Sequence, residues 1–121
     1  MGKVVHFEIN AEDPERAIQF YKEVAGWKIE SWGSDVDYWL VTTGDEKAPG
    51  IGGAIMRSKK RGMGTYNTIE VESLKDSLAA VEKAGGKKVG DINQVPGVGL
   101  FSYCEDTEGN TFGLLQPDKL G

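Results

Sequence analysis

VVHFEINAEDPERAIQFYKEVAG, Val4–Gly26, reads as a strand running into a helix, and TYNTIEVESLKDSLAAVEKAGG, Thr65–Gly86, reads the same way farther along the chain. In the first stretch Asp13 suits a helix N-cap, Pro14 the first helical position and Gly26 the stop. Ala17, Phe20, Tyr21 and Val24 recur at helical spacing, which predicts one face of that helix on a sheet. In the second stretch Ser73 opens the helix with Asp76 three residues on, a capping-box pattern. Gly26 falls on Gly86, Asp13 on Ser73 and Tyr21 on Val81, each pair 60 residues apart.

The same offset carries through the rest of the chain. WKIESW, DYWLVTT and GIGGAIM read as three strands after the first helix, broken by the turn-rich GSD and GDEKAPG. KKVGDI, VGLFSYC and TFGLLQ follow the second helix, with EDTEGN turning before the last. IGGAIM at 51 lands on TFGLLQ at 111, again 60 apart. Few residues are identical, so what repeats is the pattern, and a repeated pattern at fixed offset marks an internal duplication. The expectation is an α+β domain of two tandem βαβββ modules: residues 1–56, a linker over 57–64, and residues 65–121. RSKKRGMG, Arg57–Gly64, holds four basic residues and reads as a solvated connector.

Bulk properties remove several classes. A chain of 121 residues fits one domain with a real core. Its 39% hydrophobic and 27% charged residues are ordinary for a globular protein, and no apolar run reaches membrane-span length. MGKVVHF enters a strand with no signal-peptide core, so the expected location is cytoplasmic. One cysteine, Cys104, excludes an internal disulfide and a thiolate cage, and the acidic residues beside it argue against a reactive thiol. A net charge of −5 argues against nucleic-acid binding and agrees with a neutral or cationic ligand. No phosphate loop, nucleotide fingerprint or Ser-His-Asp arrangement appears.

HFEI, followed by DPERAIQFYKEVAGW, and YCEDTEGNTFGLLQPD near the end resemble the vicinal oxygen chelate superfamily, which includes glyoxalase I, bleomycin-resistance proteins and extradiol dioxygenases. The resemblance spans essentially the whole chain. It implies half-barrel sheets around a cavity, and in metal-dependent members one ligand from the first and last strand of each module. Carried across, those positions are His6, Gly53, Tyr66 and Gly113, which keep the offset of 60. Only His6 is a competent ligand. Glycine has no donor, and a phenol with its pKa near 10 is a poor one at neutral pH. Glu8 shares the face of His6 but stands nearly 7 Å along the strand. The reading is therefore no metal and no cofactor.

Strand alternation sorts the rest. With His6 toward the cavity, Glu8 and Asn10 join it, while Phe7 and Ile9 face the helix. Tyr66, Thr68 and Glu70 face the cavity in the second module. Gly53 and Gly113 either leave room for an organic molecule or let strands pack closely. Trp39, Phe101 and Tyr103 complete the expected ligand-binding set of His6, Glu8, Trp39, Gly53, Tyr66, Phe101, Tyr103 and Gly113. His6 itself is either a satisfied imidazole bonded to Tyr66 or Glu8, or a general base. The function expected is binding of a small organic ligand, cationic or aromatic, by a homodimer or compact monomer that contacts neither nucleic acid nor membrane. The alternatives are a divergent metal-dependent lyase or isomerase of the glyoxalase I type, and a non-catalytic interaction module.

Overall fold

The computed structural model describes residues 2–45 and 47–118. Its elements run β1 (Val4–Ala11), α1 (Pro14–Ala25), β2 (Lys28–Ser31), β3 (Tyr38–Thr42), β4 (Gly53–Arg57), β5 (Thr65–Glu70), α2 (Leu74–Lys83), β6 (Lys87–Val95), β7 (Gly99–Glu105) and β8 (Thr111–Pro117). This is the α+β plan of two βαβββ modules. Contacts cluster into two compact units: residues 6–65, and residues 66–118 together with residues 2–5. No helix among the described residues is long and apolar enough to cross a membrane.

In the first unit the strands lie in the order β2-β3-β4-β1. β1 and β4 are parallel, with Phe7 against Gly53, Glu8 against Ala54 and Ile9 against Ile55. β3 pairs antiparallel with both β4 and β2. The Asp13 carboxylate caps α1 by accepting from Arg16 N–H at 3.2 Å. Gly26 ends the helix in the left-handed region at φ 68°, a conformation cheap only without a side chain.

The periodic face of α1 is rotated from the expected one. Phe20 is 55% and Val24 68% exposed, whereas Pro14 is buried and Ile18 and Tyr21 are half-buried. The reason is Trp27, just past the helix. Its ring lies 4.6 Å from Tyr21 and 8° from parallel, and it also meets Phe7 at 5.7 Å. That stack ties the Tyr21 side of the helix through Trp27 to Phe7, and Phe20 meets the Tyr21 ring edge-on at 5.1 Å.

In the second unit the order is β5-β8-β7-β6, with β5 and β8 parallel. Leu74, Cys104 and Leu114 form its core, with Ile69, Leu78, Val81 and Phe112 packed around them. Ser73 caps α2 by accepting from Asp76 N–H at 3.1 Å, and the Gln116 side chain accepts from Leu74 N–H at 2.9 Å. The helix stops at Lys83, earlier than the Gly86 of the repeat, with Gly85 at φ +99° turning the chain. Residues 2–5 belong to this unit because Gly2 N–H donates to Glu70 O at 2.7 Å and Glu70 N–H donates to Lys3 O at 2.9 Å. The connector does not float free. Gly64 O accepts from both the backbone and the side-chain amide of Asn10, at 3.1 and 2.9 Å.

Candidate functional site

β1 places His6, Glu8 and Asn10 on one face, as alternation requires. Pairing extends that face in register to Ala54 and Met56 on β4 and to Tyr38 and Leu40 on β3. The centre of this surface is a hydrogen-bonded chain. The Tyr38 hydroxyl donates to Glu8 Oε2 at 2.7 Å and lies 2.8 Å from His6 Nε2. Glu8 is only 6% exposed, so its carboxylate needs such a partner. Trp32, 48% exposed, borders the group with its ring 5.2 Å from that of Tyr38. Burial pushes the His6 imidazole below its ordinary pKa, and the Glu8 charge pulls it partly back. The neutral form of His6 is thereby favoured.

Two residues assigned to this face lie on the other. Gly53 pairs with Phe7, and a Cβ built on Gly53 would stand 2.5 Å from the Phe7 ring and carbonyl. Trp39 pairs with Ile55, on the same α1-facing side. The offset of 60 fails here by one residue. Thr68 pairs with Gly113, but its counterpart Glu8 pairs with Ala54, which is 59 residues from Gly113. Because side chains alternate, a slip of one residue moves Gly53 and Trp39 across the sheet and brings Tyr38 onto the His6 face. Tyr38 is the residue that sequence reasoning left out of the set. Its signal lay in the β3 pairing, where it stands opposite Met56 as Phe101 stands opposite Leu115. His6 bonds to Tyr38, whose hydroxyl in turn donates to Glu8.

The second unit follows the expected parity. Tyr66, Thr68 and Glu70 share a face with Gly113, Leu115, Phe101 and Tyr103. The Phe101 and Tyr103 rings meet edge-to-face at 4.7 Å, and Tyr103 meets Tyr66 at 5.9 Å. A Cβ on Gly113 would come within 2.5 Å of the Phe101 ring. Between the two readings of the glycines the answer is close packing, since each is the seat of a phenyl ring.

These donors do not suit a divalent ion. A metal centre needs several lone pairs converging on one point. Here the His6 Nε2 and Glu8 carboxylate are joined through a phenol, and Ala54 beside Glu8 offers no donor. Among the described residues no three His, Cys, Asp or Glu side chains are grouped to hold one. Cys104 is fully buried, and burial raises its thiol pKa despite Lys88, which disfavours the reactive thiolate. An open cleft of about 350 Å³ lies at the far end of β1 from His6, bounded by Asn10, Asp13, Arg16, Phe20 and Arg61.

Residues 3–44 match the family described as bleomycin resistance protein-like N-terminal. A glyoxylase-like domain-containing protein of Didymella fabae is 32% identical over 126 residues, covering 98% of this chain and 97% of that protein. The putative glyoxylase CFP32 of Mycobacterium bovis is 25% identical over 118 residues, and the match spans only 44% of its length. Among solved structures, methylmalonyl-CoA epimerase from Mycobacterium tuberculosis superposes with a TM-score of 0.68 at 15% identity, covering 98% of this chain and 89% of the epimerase. A hypothetical protein of Bacillus halodurans gives 0.69 at 12% identity, covering 99% and 97% of the two chains. The structural likenesses speak for the fold alone. With full-length identity to the Didymella protein and the duplicated βαβββ plan, the chain belongs to the glyoxalase and bleomycin-resistance, or vicinal oxygen chelate, superfamily.

Proposed function

We propose that this protein is a binding member of its superfamily, holding a small organic molecule against the His6–Tyr38–Glu8 face without a metal. The observation that carries this reading is the Tyr38 hydroxyl, bonded at once to the histidine and to the carboxylate. It joins the His6 and Glu8 donors in a hydrogen-bonded chain. Metal analysis of protein purified without chelator tests it. The expected content is far below one ion per chain, and stoichiometric zinc, nickel, iron or manganese overturns the reading. The same reading includes a homodimer, which light scattering on the eluting protein would measure.

A glyoxalase-type lyase or isomerase is the second reading, favoured by the name of the Didymella relative. It requires a metal-dependent turnover that chelator abolishes and added metal restores. Metal content thus divides the two.

A further inference from the structure

We propose that Glu8 and Tyr38 hold His6 as its Nε2–H tautomer, so that Nδ1 accepts a hydrogen bond from the bound molecule, a planar compound carrying an O–H or N–H donor. This rests on the binding function proposed above and names its ligand class. A carboxylate can only accept, so the 2.7 Å contact commits the Tyr38 proton to Glu8. The Tyr38 oxygen is then the acceptor in the 2.8 Å contact with His6. Nε2 must carry the ring proton, and Nδ1 keeps its lone pair. Among the described residues Nε2 is the ring nitrogen engaged in a hydrogen bond. The two rings lie 12° from parallel with centroids 6.4 Å apart.

Two further observations shape the ligand. Burial favours the neutral imidazole, and a neutral ring can accept where an imidazolium cannot. Tyr38 also touches the ring of Trp32, whose exposed surface suits an aromatic plane more than an alkyl chain. Glu8 accepts from Tyr38 and is nearly buried, so little of its carboxylate is open to a cation. The class is therefore a neutral phenol-like or N–H heteroaromatic compound.

His6 is the only histidine, so selective ¹⁵N-histidine labelling reports this ring alone. The free protein should show a protonated Nε2 and an unprotonated Nδ1 by long-range ¹H–¹⁵N correlation. Titration with 2-naphthol should move the Nδ1 resonance, and 2-methoxynaphthalene, with the same ring but no donor, should bind about fivefold more weakly. Tyr38→Phe should release His6 into a mixture of tautomers and narrow that preference. An Nδ1–H tautomer in the unliganded protein, equal affinity for the two naphthalenes, or tighter binding of benzyltrimethylammonium overturns the inference. The underlying binding function fails separately, if none of the three probes perturbs His6 or Trp fluorescence, or if the protein carries stoichiometric metal. The comparison of probes on unaltered protein stands even where the Tyr38 variant fails to fold.

Discussion

A single hydroxyl sets the hydrogen bonding of the lone histidine. Tyr38 turns His6 from a free lone-pair donor into one end of a fixed chain, and the consequence for pH is calculable in sign. In the unfolded chain an imidazole protonates as pH falls through about 6.5. The folded His6, held lower by burial, resists until a more acidic pH. Between those values the unfolded state binds more protons, so stability falls with falling pH and then levels below the folded pKa. Above that window His6 contributes no slope. Urea titrations from pH 7.5 to 5 should show the decline, and His6→Gln should remove that component of it. The two ring-seating glycines make a second residue-scale prediction. At Gly53 a new Cβ meets the Phe7 carbonyl as well as its ring, whereas at Gly113 its nearest neighbours are the movable Phe101 ring and the Thr68 hydroxyl. Gly53→Ala should cost about 3 kcal/mol and Gly113→Ala about 1 kcal/mol, read as shifts in the urea midpoint.

Elements are secured by contacts of two kinds, near and distant in sequence. The Asp13 cap of α1 is local, and Asp13→Ala should cost about 1 kcal/mol of stability. Gln116 reaches the first N–H of α2 from β8, 42 residues away, and Gln116→Ala should cost a similar amount, about 1 kcal/mol. Only the second loss should also loosen β8, visible as faster amide exchange at Leu114 and Leu115. The EDTEGN turn works in the same structural way. Asp106 accepts from the side-chain and backbone amides of Asn110 and from the backbone of Glu108, which lowers its pKa. Its contribution is present above the ordinary aspartate range and lost as pH falls below it. This motif, part of the family resemblance, builds a hydrogen-bonded turn.

For the molecule as a whole, the proposed function predicts how stability responds to additives. A ligand at a hundred times its Kd should raise stability by about 2.7 kcal/mol, seen as a higher Tm. Prolonged dialysis against EDTA should leave both Tm and ligand affinity unchanged, and a loss of either would point to a bound metal instead. The duplicated plan was legible because caps, alternation and turns act over a few residues. Asp13, Pro14, Gly26 and Ser73 do in the structure what their chemistry predicts. The face of the second unit was legible too, since Tyr66, Gly113, Phe101 and Tyr103 keep the parity that alternation assigns. Register between distant strands was not. Nothing within IGGAIM says whether Gly53 or Ala54 stands beside Glu8, and one residue of slip reverses the face. The sequence by itself determined the elements and their order, because local backbone preferences and periodicity specify those, and its motifs carried the family resemblance. Only the tertiary structure decided that Phe7 sits over Gly53, that Trp39 turns toward the helix, and that Tyr38 ties His6 to Glu8. Those outcomes depend on how separate strands pack, and that packing is settled only when the chain closes on itself.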